Sequence, residues 1–171
     1  LAPGPSIEAP TVACLDSALV AGRQGSWIAG MQPWLGLGYN AAVLRRFLRR
    51  EAAAGHVWMA SQAGSARPLG VLVLQPGVLL GDFVALLAVR PEAARRGIGR
   101  ALMARAESQA FVGRRWLYVS ADAANRAALR FYRDLGFVRV GRLPDLVREG
   151  QTEILLRKGR GDRSAPGHTS R

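Results

Sequence analysis

Lysine is all but missing from this 171-residue chain: Lys158 is the one example, so arginine supplies 23 of the 24 basic residues. There is one cysteine, Cys14, and there are two histidines, His56 and His168. A lone cysteine closes no disulfide within the chain and reads as a small buried residue, and so few thiols and imidazoles do not build a tetrahedral zinc site. A disulfide-stapled secreted scaffold and a structural zinc fold are therefore disfavoured, and no metal is expected. Acidic residues number 12, which leaves a net charge of +12 and excludes an acidic tail. No apolar run approaches the ~18–20 residues of a membrane helix. The longest, Phe83–Val89, suits a buried strand. The opening residues lack the basic and apolar regions of a signal peptide. A cytoplasmic location without a membrane partner is the expectation.

What is present is globular. An apolar share of 49% against 21% charged residues fits one packed domain rather than a disordered chain. The basic surplus invites a polyanionic partner, since guanidinium groups bind phosphate in a bidentate manner. Yet the arginines are spread along the chain, and an arginine bias beside abundant alanine and glycine is equally a mark of genome composition. Residues 1–10 hold three prolines among small residues, and 159–171 are nearly devoid of apolar side chains. Both ends are expected to be flexible, flanking a single domain over 11–158.

Within that domain, Ala13–Val20 reads as a short first helix. Gln24–Tyr39 mixes glycines, a proline and aromatics without clean periodicity and reads as a partly ordered loop. Asn40 can cap a helix to about Ala54, with Val43, Leu44, Phe47 and Leu48 on one stripe. His56–Gln62 and Leu69–Gln75 suggest a hairpin around a Gly-Ser turn. Asp82–Arg90 is apolar on both faces, as a strand covered on both sides must be. Helices over Gly97 or Ile98 to Phe111 and over Asn125–Asp134, the latter stopped by Gly136, alternate with strands at Arg115–Ser120, Phe137–Val140 and Thr152–Arg157. This order implies an α/β sandwich with a mixed sheet.

Two segments carry chemistry. In Leu87-Ala88-Val89-Arg90-Pro91-Glu92-Ala93-Ala94-Arg95-Arg96-Gly97-Ile98-Gly99-Arg100, a buried strand enters a basic, glycine-containing turn and then a helix. The first amides of a helix lack intrahelical partners and carry partial positive charge, and glycines admit a bulky anion. That is a pyrophosphate seat, although a helix that merely begins after a loop fits the same residues. A Rossmann site is disfavoured because its third glycine would fall at Leu102, and an NTPase loop because the Gly-Lys-Ser/Thr ending is missing. In Asn125-Arg126-Ala127-Ala128-Leu129-Arg130-Phe131-Tyr132, seven residues separate Asn125 from Tyr132. Both therefore lie close to one helix face, with the small Ala128 between them. Tyr132 could offer a proton to a leaving group, or simply pack, and Asn125 could serve only as a cap.

Together and in this order, LAVRPEAARRGIGRALM and NRAALRFYRDLGF resemble the GCN5-related N-acetyltransferase (GNAT) superfamily over roughly residues 56–158. The loop QPWLGLG and the ending VGRLPDLVREGQTEILLRK are similar to a bacterial and archaeal branch of it. The resemblance implies an α/β (α+β) fold with a mixed, mostly antiparallel sheet whose fourth and fifth strands splay apart. It implies acetyl-CoA as co-substrate, with its pantetheine arm along Leu87, Ala88 and Val89. The pyrophosphate would lie on the amides of Arg95, Arg96, Gly97, Ile98, Gly99 and Arg100, with Asn125 and Ala128 near the pantetheine. Tyr132 would protonate the CoA thiolate, and a backbone amide at Leu87 would face the oxyanion.

Two positions depart from the family pattern. Ala94 stands where Gln or Arg is usual. Ser120 stands five residues before the asparagine, the place of a catalytic glutamate in the branch that acetylates protein N-termini. A serine is a poor base unaided, so Asp82, Ser120 through a water chain, and Glu153 remain open as the base. Trp34 and Tyr39, with Trp27, either line the acceptor site or plug the core. The acceptor expected is a small-molecule or peptide amine, and the resemblance allows a homodimer. A nucleic-acid- or ribosome-associated module, resting on +12 and Arg45, Arg46, Arg49 and Arg50, lacks any recognised motif and ranks behind. A CoA-binding sensor without chemistry is the third reading.

Overall fold

Strand and helix periods in the sequence resolve into eleven elements and one short turn in the structure, a computed structural model that describes residues 9–62, 65 and 67–162. In chain order these are β1 (Thr11–Cys14), α1 (Ala18–Ala29), α2 (Ala41–Ala53), β2 (Val57–Ser61), β3 (Pro68–Val78) and β4 (Gly81–Val89). A single 3-10 turn (Pro91–Ala93) leads to α3 (Ile98–Gly113), β5 (Trp116–Asp122), α4 (Arg126–Asp134), β6 (Val138–Pro144) and β7 (Thr152–Gly159). The seven strands form one sheet in the order β1-β2-β3-β4-β5-β7-β6. Every neighbouring pair is antiparallel except β4 and β5, which are parallel. This is the mixed, mostly antiparallel sheet that the resemblance implies.

Helices cover both faces. On one, Leu102, Met103 and Ala106 of α3 and Leu129 of α4 pack on Leu72, Leu117, Val119, Ile154 and Leu156. On the other, Ala21 and Ile28 of α1 and Leu44 and Leu48 of α2 pack on Val57, Val71, Val73 and Leu86. Within β4 the alternation slips once. Val73 of β3 pairs with Leu86 but Leu74 pairs with Val84, leaving Ala85 as an extra residue. Such a bulge bends its strand and resets its faces. Accordingly, Ala85 and Leu86 both face the α1/α2 core, whereas Val84 before them faces α3 and α4.

The ladder between β4 and β5 is equally brief: Asp82, Phe83 and Val84 pair with Leu117, Tyr118 and Val119. Beyond Val84 the two strands separate, which opens a cleft at the C-terminal end of β4.

Three expectations are corrected. Thr11–Cys14 is a strand paired with β2, and the first helix starts only at Ala18, capped by Ser17, whose hydroxyl accepts from the Val20 amide. That helix takes in Gln24–Ala29, so the loop expected over Gln24–Tyr39 is confined to the residues after it. Its glycines mark close packing instead. A Cβ on Gly25 would lie 2.6 Å from the Arg45 main-chain nitrogen, and one on Gly22 would lie 2.7 Å from Arg49 Nε. The helix-propensity cost of such glycines, about 1 kcal/mol each, is offset by letting α1 lie directly on α2. Cys14, expected to be a small buried residue, is exposed on the edge strand.

His56, which shows no partner in the sequence, lies with its Nδ1 3.0 Å from Glu51 Oε2. Gln75 Nε2 donates to the same carboxylate at 3.1 Å. Lys158 is buried and donates to both oxygens of Glu107 at 2.8 Å. Most of 1–10, of 159–171 and of the turn after Gln62 lies outside the described residues, as does His168, while β7 itself reaches Gly159.

Candidate active site

The parted end of β4 delivers its residues alternately. Leu87 and Val89 pack toward the α3/α4 side and line the cleft, whereas Ala88, 1% exposed, belongs to the α1/α2 core. After Val89 the chain turns through Arg95 at φ 61° and Gly97 at φ 80° into α3. Glycine tolerates that left-handed geometry at little cost. Gly97 caps the helix without a side-chain hydrogen bond, so the first amides of α3 remain available to an anion.

A groove of about 650 Å³ runs beside them, lined by Val89, Arg95, Gly97, Ile98, Gly99 and Arg100 and, from α4, by Ala127, Ala128, Phe131 and Tyr132. A Cβ on Gly99 would lie 3.3 Å from Phe131 Cζ, so this glycine keeps the groove open. Arg96 is directed elsewhere, with Nη2 donating to Gln62 Oε1 at 3.3 Å. The cradle suits a diphosphate with an extended apolar arm, which is the shape of CoA.

A second chamber of about 300 Å³ adjoins it on the far side of Tyr132. Its walls come from Pro33, Trp34, Leu37 and Tyr39 in the loop between α1 and α2, and from Leu146 and Val147 in the turn between β6 and β7. The two wall segments are tied together, because Arg148 Nη1 donates to the Gly36 carbonyl at 2.9 Å. Ser120, Asp122, Asn125 and Glu153 supply the polar floor. Pro33, Trp34, Leu87, Ala128 and Tyr132 line both spaces. Groove and chamber therefore meet at Leu87 and Tyr132.

Tyr132 is 7% exposed and its ring is held edge-on between Phe131 and Phe137, at centroid distances of 5.3 and 5.8 Å. Burial, and next the charge of Glu153, push its phenol above the ordinary tyrosine range, so it keeps its proton at neutral pH. Glu153 is likewise 7% exposed. Burial raises its carboxyl, a hydrogen bond with Ser120 works against that, and the charge of Asp122 raises it again. The net direction is upward. Asn125 caps α4, its Oδ1 accepting from the Ala128 amide at 3.1 Å. It borders the second chamber rather than the groove.

Of the three candidate bases, Asp82 is removed by position. It sits at the opposite end of β4, accepting from the Gly77 amide at 3.2 Å and facing Arg114 Nε at 3.4 Å. Ser120 and Glu153 both reach the chamber. Trp34 and Tyr39 line it as well, but Trp27 does not: its indole donates to Gln24 and stacks under Arg90. Phe131, Leu37, Leu146 and Val147 sit inside the stretches that carry the resemblance, but nothing in the local sequence marks them as lining a groove or a chamber. On α2, Arg45 Nε turns back to the Ala41 carbonyl and Arg50 pairs with Glu51. Among the described residues no cluster of His, Cys, Asp and Glu could hold a metal ion, and no helix is long and apolar enough to cross a membrane.

Comparison with known proteins agrees with this fold. Residues 53–139 match the family model described as an acetyltransferase (GNAT) domain. No curated protein matches the chain significantly. Among solved structures, Ard1 from Thermoplasma volcanium is 25% identical and superposes with a TM-score of 0.72 over 89% of this chain and 98% of its own. A putative GNAT acetyltransferase from Desulfovibrio desulfuricans is 21% identical, with a TM-score of 0.71 over 88% and 99% of the two chains. A putative streptothricin acetyltransferase from Bacillus anthracis, solved in complex with acetyl coenzyme A, is 20% identical, with a TM-score of 0.55 over 61% of each chain. At these last two identities the likeness is one of fold.

Proposed function

The chain belongs to the GNAT acetyltransferase family, and from that premise we propose that it transfers the acetyl group of acetyl-CoA directly to a primary amine. The observation that carries this reading is the meeting of the glycine-lined groove and the second chamber at Leu87 and Tyr132. A donor in one and an acceptor in the other would bring their reacting atoms to the same two residues. Holding both partners at once removes much of the entropic cost of the encounter.

Acetyl-CoA supplies an activated acyl thioester, and the chain's residues do the rest. The α3 amides from Ile98 and the guanidinium groups of Arg95 and Arg100 would hold the diphosphate. Leu87 and Val89 would align the pantetheine arm along the free stretch of β4, in the manner of an added strand. A main-chain amide near Leu87 would face the charge developing on the carbonyl oxygen, a contribution of about 3–4 kcal/mol where such donors have been removed. Tyr132, kept protonated by burial, would hand its proton to the departing sulfur. Cys14, on edge strand β1 three strands away from β4, has no part in this, so no acyl-cysteine step is needed.

Thermal shift with acetyl-CoA tests the first half. Ligand at 100 times its dissociation constant should stabilise the protein by about 2.7 kcal/mol. Release of free thiol with a panel of amines tests the second half. An intact protein that acetyl-CoA does not stabilise would overturn the reading. One that binds acetyl-CoA but acetylates no amine would leave a sensor.

A further inference from the structure

The chain carries 24 basic residues against 12 acidic ones, and the donor groove follows that balance, with Arg95 and Arg100 in its wall. The adjoining chamber reverses it. Among the described residues no arginine or lysine lines it, and its ionisable carboxylates are Asp122 and Glu153. On a surface so rich in arginine, a space bounded by two carboxylates and apolar walls selects a cation.

Sheet register explains why the carboxylates stand together. Asp122 of β5 is the cross-strand partner of Glu153 of β7, so their side chains leave the sheet on the same face. Ser120, two residues earlier on β5, shares that face and is hydrogen-bonded to Glu153. Glu153 thus reaches, from the neighbouring strand, the place where Ser120 has no carboxylate to offer. The titratable groups facing it are Asp122 from β5, Tyr132 from α4 and Tyr39 across the chamber, while its β6 partner is Leu143.

Building on the acetyltransferase reading, we infer that Glu153 is the general base of this site and that the acceptor is an amine, arriving as an ammonium ion, with no carboxylate beside it. The protons balance as follows. The ammonium gives one proton to Glu153. The freed lone pair forms the C–N bond as the C–S bond breaks, and the sulfur takes the proton of Tyr132. The nitrogen's second proton restores the phenol, and Glu153 passes its own proton to solvent, so each turnover releases one. Asp122 touches neither reactant in this scheme and acts as a positioning residue for the charge of Glu153. A free amino acid would bring its α-carboxylate against Asp122 and Glu153, where like charges repel in a poorly solvated space. An amide of the same amino acid would not.

The test compares phenylalanine amide, phenethylamine and phenylalanine as acceptors for the 171-residue chain, by thiol release across pH. The two uncharged-tail amines should exceed phenylalanine in kcat/KM by at least ~10-fold, the repulsion being about 1.4 kcal/mol or more. Glu153→Gln should lower kcat by about 10²-fold or more, lose the acidic limb of the rate profile and still be stabilised by acetyl-CoA. Ser120→Glu combined with Glu153→Gln, which moves the carboxylate to β5, should recover part of the rate and the limb. Equal use of phenylalanine and its amide would overturn the acceptor class. A Glu153→Gln variant with wild-type kcat and an unchanged limb would overturn the base. If that variant fails to fold, the acceptor comparison and the wild-type acidic limb, which must be present, still decide. Binding of acetyl-CoA with no thiol release from any of the three would sink the acetyltransferase reading and this inference with it.

Discussion

Asp122 and Glu153 face each other across the antiparallel ladder of β5 and β7, two carboxylates on one face of the sheet in the floor of a chamber that no arginine or lysine lines among the described residues. Neither charge is neutralised by an ion pair among the described residues. The charge of Asp122 therefore acts on Glu153 and holds its proton more firmly.

Replacing Asp122 with Asn removes that charge while keeping an oxygen to accept from the Ala124 amide, as Asp122 Oδ1 does at 2.7 Å. Glu153 should then ionise at lower pH, and the acidic limb of kcat/KM should move down the pH axis. A pH–rate profile of the variant checks the direction. A limb that stays put would separate Asp122 from the base.

Glu153 should also weaken the fold at neutral pH. Its carboxyl is raised in the native protein, so its favourable contribution belongs below the unfolded glutamate range and is lost as pH rises through the native value. Glu153→Gln should melt higher than wild type at pH 8, by about 2–4 °C for each kcal/mol recovered. The difference should vanish near pH 4. Melting curves at the two pH values measure it.

Tyr132→Phe keeps the ring between Phe131 and Phe137 and deletes only the hydroxyl. Melting temperature and acetyl-CoA affinity should hold, while kcat falls by about 10²-fold. Comparable losses in affinity and stability would instead mark Tyr132 as a packing residue.

The groove and the acceptor chamber should be separable. Gly99→Val would crowd Phe131 and fill the groove, raising KM for acetyl-CoA. Arg148→Ala would release the loop holding Gly36, raising KM for the amine by about 10-fold for each ~1.4 kcal/mol of lost positioning. Steady-state kinetics with each substrate varied in turn distinguish the two.

Glu51 gives a purely structural prediction. Burial works to raise its carboxyl, but hydrogen bonds with His56, Arg50 and Gln75 outweigh it, and the net direction is down. Its contribution is therefore present above the unfolded glutamate range and lost as pH falls through the native value. Glu51→Ala should cost about 1–3 kcal/mol at pH 7 by breaking the hydrogen bonds that this buried carboxylate makes with half-buried His56 and Gln75 and with exposed Arg50, and less in acid. Urea unfolding at both pH values reads the difference.

Much of this was legible from residues alone. The apolar run of β4, the Asn40 cap of α2 and the paired motifs around Gly97 and Tyr132 all lie where local periodicity put them. What stayed hidden depends on distance across the fold. β1 is four residues long, too short to show a period. The glycines of α1 resemble those of a loop until α2 is laid against them. Glu153 lies 33 residues from Ser120 in sequence, and only the β5–β7 register makes them neighbours.

The extra residue at Ala85 has a consequence for how this strand can vary. It shifts the phase of everything from Leu86 to Val89, turning Leu87 and Val89 toward the cleft and Ala88 into the packed interior. Shortening β4 by one position there would exchange those roles, presenting a methyl group to the ligand and forcing two larger side chains under α1 and α2. At this point of the chain, spacing is a stricter requirement than identity. Many substitutions at position 85 should be survivable, and its deletion should not.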